Sequence, residues 1–464
     1  MEMMSPEQHA ATDVIIRAVL AVEGGEPDRT RTFFLDGPGG SGKTFCYNTI
    51  IASLRARSLK VACAAWTGIA ATLLEGGRTL HSLFKLPVPL NERSTCNMSP
   101  TSSNAQFLRE VSIIIVDECS MIPVHAIRAI DAMLRDITGL KLPFGGKVML
   151  LGGDFRQVLP VLPRQSKAAI IEIIIKRSPL WPHFRTLKLT RNMRAMADEQ
   201  EFAQWLLTIG DNSAPPVDIP NAPPLAVIIP ASLIVKDVVE AIYCDMTLDV
   251  STRAILTPRN DDSLRISLKV LEKLPGNVRE YVSADSIISE DAEAQSYPVE
   301  FVHSITPSGM PEHRLRLKPG CLIMLLRNID LQNGLCNGTR LRVHTLHRNI
   351  IDASILAGAH AGKRVLIPRT LLTPSDTNLP FQMRRQQFPV RLAYAITINK
   401  AQGQTFDKVG LYLPSPVFAH GQLYVALSRA KRFADISVEI VQRLTQGKFA
   451  NKHITQNVVY SEVL

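Results

Sequence analysis

Aromatic residues make up only 6% of this 464-residue chain, so stacking against a base or ligand would fall to a few rings such as Phe84, Phe155 or Tyr394. Cysteine is sparse too. Cys46, Cys63, Cys96, Cys119, Cys244, Cys321 and Cys336 lie far apart and form no C-x-x-C pair, which predicts reduced, mostly buried thiols in an intracellular compartment. No apolar run reaches the roughly 18 residues that cross a bilayer, so no membrane partner is expected. The N-terminal MEMMSPEQ lacks an apolar h-region and an Arg-rich amphipathic stretch, which argues against a secretory or mitochondrial presequence. There is no internal repeat and no long low-complexity run. An acidic excess is also missing: 52 Lys and Arg against 42 Asp and Glu give a net charge of +10, which favours polyanionic partners.

What the chain does have is the stretch FFLDGPGGSGKT, residues 33–44, where an apolar run breaks into a glycine-rich turn ending in Lys-Thr. The frame Gly37-x-x-x-x-Gly42-Lys43-Thr44 is a P-loop, a site for a nucleoside triphosphate such as ATP. Gly37, Pro38, Gly39, Gly40, Ser41 and Gly42 let backbone N–H groups curl around phosphates. Lys43 then reaches the β and γ phosphates and the Thr44 hydroxyl holds Mg²⁺. Thr32 to Leu35 reads as a buried strand, and Phe45 to Arg57 has helical apolar spacing, so the phosphates would meet a helix N-terminus at Phe45.

At roughly 100 to 200 residues per domain, the length predicts two or three domains. From about residue 30 to 190 the apolar runs LKVACAAW, VSIIIVD and GKVMLLGGD alternate with polar helical segments, the pattern of a parallel sheet covered by helices. The proline-dense SAPPVDIPNAPPLAVIIP, residues 213–230, cannot be a helix and reads as a surface connector. From about 312 to 390 the texture becomes short β-like stretches with turn signals at Asn333-Gly334 and Asn337-Gly338, a small antiparallel barrel or sheet inserted into an α/β domain. The α/β texture then resumes with LAYAITI and VGLYLP.

Two further constellations carry chemistry. IIIVDECSM places Asp117 and Glu118 at the C-terminal end of an apolar strand, where α/β sheets gather ligands. Asp117 would hold Mg²⁺ and Glu118 would orient and deprotonate the attacking water. LLGGDFRQVLPV ends another strand, and Gln157 there would donate its amide to the γ-phosphate. Basic segments at Arg314, Arg316 and Lys318, at Arg340 and Arg342, and at Lys363, Arg364, Arg384 and Arg385 suit phosphate contact without base reading.

The order of these motifs resembles the superfamily-one DNA helicases of the PIF (petite integration frequency) type, including the helicase parts of Helitron transposons. SPEQHAA is similar to the family's Q-motif and assigns Gln8 to the adenine edge. TGIAATLLEGGRTLHSLFKLP, residues 67–87, resembles the first DNA-contacting motif, with Thr67, His81 and Ser82 as strand contacts. LTRNMR resembles the motif that supplies an arginine finger, Arg194, and TPRN, ending at Asn260, recurs near the family's DNA track. TINKAQGQTF, residues 397–406, resembles the motif coupling ATP state to DNA grip, with Thr397 and Lys400 toward DNA. GQLYVALSRAK resembles the last motif, with Arg429 as the second finger. Trp66, Cys119 and Asn399 depart from the family's usual wording.

The resemblance implies an α/β fold with two RecA-like P-loop motor domains with parallel sheets and a small inserted SH3-like β-barrel. The segments would be 1–188 and 189–311 for the first motor domain and the start of the second, 312–390 for the insert, and 391–464 for the remainder. It implies an ATP-dependent helicase with Mg²⁺, moving 5′ to 3′ on single-stranded DNA and opening forked duplex DNA, a monomer in solution. Such a protein would serve repair, recombination, telomere maintenance or transposition. Its location would be nuclear, or mitochondrial where a longer form carries a presequence. With Arg194 and Arg429 on a different domain from Lys43, hydrolysis would depend on closure of a cleft. The absence of a His-x-His sequence of the rolling-circle nuclease kind suggests the helicase part alone. A P-loop regulatory ATPase acting on a protein partner accounts for the P-loop and acidic pair but leaves the later motifs unexplained.

Overall fold

The computed structural model describes residues 4–25, 30–162, 165–193, 199–219, 222–246, 249–288, 297–331, 333–358, 360–374 and 381–464. The chain divides into two compact units, Met1–Ile234 with Ala401–Thr405 and Leu413–Leu464, and Val235–Lys400 with Phe406–Tyr412. This is a coarser division than the four segments expected from the sequence.

The first unit is built on a parallel sheet of β1 (Thr32–Asp36), β2 (Lys60–Ala65), β3 (Arg78–Thr79), β4 (Val111–Asp117), β5 (Val148–Gly153) and β6 (Arg185–Lys188), in the order β3-β2-β4-β5-β1-β6. All seven residues of β4 are buried. Its side chains alternate between the two faces: Ile114 and Val116 join a cluster with Phe34, Leu151 and Phe155, while Ile113 and Ile115 join Phe33, Leu35 and Leu150. Burial on both faces explains why these strands read as unbroken apolar runs. The strands end together, with Asp36 opposite Gly153 and Ala65 opposite Asp117, so the C-terminal edge forms the crevice where α/β sheets bind ligands.

Two helices frame that crevice. α1 (Pro6–Glu23) starts in a capping box, the Ser5 hydroxyl accepting from the Gln8 N–H while the Gln8 side chain accepts from the Ser5 N–H. α2 (Lys43–Arg55) follows the P-loop and turns Cys46, Tyr47, Ile50, Ile51 and Leu54 into the core, the spacing of one helical face. The proline-dense connector is shorter than expected: Ala226–Ile229 is a strand, antiparallel to Lys452–Gln456. Its four apolar residues find a partner more than 200 positions away, which local composition does not reveal.

In the second unit Arg253–Thr257 pairs in parallel with Ala395–Thr397 and with Lys408–Leu413. The insert is antiparallel, ordered Arg364–Pro368, Ile350–Ile355, Arg340–Leu346, Leu322–Leu325, Val390–Leu392. Gly334 and Gly338 adopt φ of 77° and 94°, the left-handed region that the two Asn-Gly signals demand. Antiparallel pairing extends outside 312–390, joining Arg279–Val282 to Arg314–Leu317 and Ala284–Ile288 to Gln382–Gln387. All seven cysteines are free, five of them buried, with Cys96 partly and Cys244 fully exposed. No helix among the described residues is long and apolar enough to cross a membrane.

Candidate active site

The P-loop leaves β1 at Asp36 and enters α2 at Lys43. Gly40 and Gly42 take φ of 90° and 83°, values that a side chain would strain. A Cβ on Gly37 would run into Ser41, and one on Gly42 into the Gln8 amide, so the loop is wound too tightly for anything but glycine there. Ser41 is buried and its hydroxyl has no protein partner among the described residues. Lys43 folds back over the loop, its Nζ donating to Gly37 O at 2.6 Å. Gln8, expected at the adenine edge, spends its amide on the chain: Oε1 accepts from Ser5 N and Nε2 donates to Ser41 O, both at 2.9 Å.

At the end of β4, Asp117 is buried and accepts from the Tyr47 hydroxyl at 3.1 Å. Glu118 follows with φ 55° and ψ 43°, a left-handed conformation that costs a non-glycine residue about 1 to 3 kcal/mol and concentrates at functional sites. Burial pushes both carboxyls above the usual carboxylate range. For Glu118 the negative charge of Asp117 adds to the shift, while a hydrogen bond from Gln402 and the charges of Lys43 and Arg429 oppose it. Two acids held together and short of solvent suit one to bind a cation and the other to take a proton. Thr44 and Asp117 supply the oxygen donors that Mg²⁺ prefers, beside a loop shaped for phosphate.

Gln157 is buried, with Nε2 donating to Asp154 Oδ2 at 3.3 Å and Oε1 lacking a protein partner among the described residues. Asp154 also accepts from the Tyr424 hydroxyl at 2.9 Å, and that hydroxyl accepts from the Gly39 N–H at 3.2 Å. Tyr424 thus ties the P-loop to the Gln157 segment. Arg429 is 4% exposed and is aimed by its own neighbours: Nε donates to Val425 O, Nη1 to Gln404 O and Nη2 to the Ser428 hydroxyl. A Cβ on Gly39 would stand 3.6 Å from its Nη2. Arg429, expected on a separate domain, belongs to the same compact unit as Lys43. Arg194 lies outside the described residues; the chain just before it meets the loop, Met193 N donating to Gly40 O at 2.9 Å. A cavity of about 280 Å³ opens beside Pro38 and Gly39, walled by Thr190, Arg191, Leu207 and Tyr424.

The residues expected at DNA are more mixed. Thr67 caps the helix Gly68–Thr72, accepting from Ala70 N at 3.3 Å, and His81 packs on Trp66 with ring centroids 4.7 Å apart. Burial lowers the His81 pKa, which keeps the ring neutral. Ser82 gives its N–H to Thr79. In the second unit Thr397 is buried, Asn260 is exposed and accepts from Arg391 at 3.0 Å, and burial brings Lys400 down to about 7.

Two expectations need correction. Phe84, Phe155 and Tyr394 are core residues and present no free ring face to a base. The basic clusters each lose members to the interior or to ion pairs: Arg340 is buried, donating to Ser251, Arg253 and Ala393 carbonyls, and Arg385 is buried against Asp285. Lys318 is buried on Leu274 O. Arg314, Arg342 and Arg364 pair with Glu280, Asp249 and Asp352, and Lys363 donates to Asn333. Arg316 and Arg384 are exposed. Sequence reasoning missed Tyr47, Gln402 and Tyr424, although the last two lie inside the segments TINKAQGQTF and GQLYVALSRAK.

Comparison with known proteins finds matches among DNA helicases. The PIF1-like helicase model matches residues 3–218, and the model of the 2B domain of DNA helicase Pif1 matches residues 300–346. The chain is 28% identical to ATP-dependent DNA helicase PIF7 of Trypanosoma brucei brucei over 94% of its own length and 46% of that protein. It is 28% identical to ATP-dependent DNA helicase PIF1 of Danio rerio over 89% of its length and 60% of that protein. It therefore spans about half to three fifths of these relatives. The crystal structure of Bacteroides Pif1 bound to ssDNA superposes with a TM-score of 0.69 at 23% identity, covering 95% of each chain, and shows the same fold.

Proposed function

Since the chain belongs to the PIF1-like helicase family, we propose that it is an ATP-dependent DNA helicase, coupling ATP hydrolysis to movement along single-stranded DNA and to opening of a forked duplex. The observation that carries the reading is the gathering of Lys43, Asp117, Glu118 and Arg429 around one P-loop, supported by relatives named as ATP-dependent DNA helicases. A regulatory switch accounts for the P-loop and the acidic pair but leaves the later motifs unexplained.

The backbone N–H groups of the loop and Lys43 bind the β and γ phosphates, with Gln8 bracing the loop at Ser41. Glu118 orients a water in line with the γ-phosphorus and takes its proton. The water oxygen bonds to phosphorus, and the β–γ bridging bond breaks with its electron pair leaving on ADP. Thr44 and Asp117 would hold Mg²⁺, which would supply positive charge to neutralise the phosphate oxygens. Arg429, and Arg194 from the neighbouring segment, stabilise the charge that spreads over the transferring phosphoryl group; such arginines are worth about 10³ to 10⁵ in rate. Gln157, held by Asp154, senses the γ-phosphate.

Thr67, His81 and Ser82 in the first unit, and Asn260, Thr397 and Lys400 in the second, are the residues assigned to the strand by the family likeness. The family likeness favours 5′-to-3′ movement, a monomer, a nuclear location, and work in repair, recombination, telomere maintenance or transposition. Strand displacement on 5′-tailed and 3′-tailed duplexes tests activity and direction together: unwinding of the 5′-tailed substrate is expected, and unwinding of neither tail, or of the 3′-tailed one alone, overturns the reading.

A further inference from the structure

Ala401–Thr405 is a short segment of the first unit between two stretches of the second, and it carries a side chain into the hydrolytic centre. Gln402 is 4% exposed. Its Nε2 donates to Glu118 Oε2 at 2.8 Å, while its Oε1 is buried with no protein partner among the described residues. Gly403 follows at φ 79°, and a Cβ there would stand 3.8 Å from Glu118 Oε1, so backbone and side chain both follow the Glu118 carboxylate closely. A buried amide oxygen left unpaired beside a general base calls for a ligand that donates, because such a group is costly to leave unsatisfied.

We propose that Gln402 is the positioning residue for Glu118: its N–H fixes one carboxylate oxygen, the other carboxylate oxygen takes a proton from the attacking water, and Oε1 accepts that water's second hydrogen bond. With both hydrogens of the water engaged, its lone pairs face the γ-phosphorus. This deepens the hydrolytic reading above and rests on it. The placement also gives that reading a short coupling route. Gln402 lies two residues after Lys400 and five after Thr397, both assigned to the strand track, so a pull on the strand reaches the base through a few covalent bonds and one hydrogen bond. The Gln157 side chain shares the buried setting and an unpaired oxygen, but its donor is held by Asp154, not by the base.

The test uses Gln402→Met, close in volume but unable to hydrogen-bond, with steady-state ATP hydrolysis at saturating single-stranded DNA. Turnover should fall about 10- to 100-fold, the effect of losing one hydrogen bond to a charged group. KM for ATP and Kd for single-stranded DNA should stay within about twofold of the unmodified protein, since the role assigned to Gln402 is confined to Glu118 and the attacking water. On a Glu118→Gln background the same change should cost almost nothing more, because both side chains act on one water. Unchanged turnover, loss of turnover together with both affinities, or a full additional loss on the Glu118→Gln background each overturns the proposal. Full turnover in Glu118→Gln alone would instead overturn the hydrolytic reading beneath it.

Discussion

Gly152 shows how a residue with no side chain sets the chemistry of one on the neighbouring strand. A Cβ there would overlap the Tyr47 hydroxyl, and that hydroxyl is the one bonded to Asp117. Gly152→Ala should therefore push Tyr47 off Asp117, lowering Mg²⁺-dependent turnover well before it unfolds the sheet. Calorimetric Mg²⁺–nucleotide binding beside a thermal melt checks this, and unchanged binding at a lowered Tm would show the glycine to be purely structural. Lys400 makes the second residue-scale prediction. Burial, with like charge from Arg391 and Arg327, brings its ammonium down to about 7. A strand phosphate at Lys400 would raise that value in the complex, so binding takes up a proton. Affinity for single-stranded DNA should be full below pH 7 and decline as pH rises through about 7, and Lys400→Arg should flatten the decline. A flat profile in the unmodified protein removes Lys400 from the track.

Among the elements, the strand Gln382–Gln387 explains both a misreading and a stability. Its exposure alternates residue by residue, so Arg384 faces out while Arg385 turns in and makes a two-pronged contact with Asp285, at 2.9 and 2.7 Å, with both side chains at most 1% exposed. A run of basic residues looks uniform in sequence; the period of two splits it into an exposed and a buried member. Burial alone would raise the Asp285 carboxyl, but the Arg385 guanidinium, the Ser283 hydroxyl and His313 together outweigh it and hold it below the usual carboxylate range. The group therefore contributes stability that is present above its unfolded pKa and lost as pH falls through the lowered folded value. Asp285→Asn strands a buried cation and should cost about 3 to 5 kcal/mol, read by denaturant unfolding followed in the second unit. It should also weaken the acid dependence, and a cost under about 1 kcal/mol, the range of an exposed pair, would contradict the assignment.

Across the whole molecule, what was legible in the sequence was what is local. Strand, glycine turn and helix follow one another at the P-loop, and Asp117 and Glu118 end their own strand, so Lys43, Thr44 and the acidic pair could be read directly. The partners that finish the site could not: Tyr47, Tyr424 and Gln402 reach their acids across 70, 270 and 284 positions of chain. The same distance hid the pairing of Ala226–Ile229 and the membership of Arg429 in the unit of Lys43. Family motifs located the segments, and the fold supplied the side chains within them. The net charge of +10 suits a strand partner, and in the insert Arg316 and Arg384 stay exposed while Arg340 and Arg385 are spent in the interior. ATP turnover should answer to a DNA strand, and the rate of ATP hydrolysis with and without single-stranded DNA reads this without intermediate steps. Strong stimulation that is lost in Lys43→Ala is expected; a rate indifferent to DNA would contradict the helicase reading.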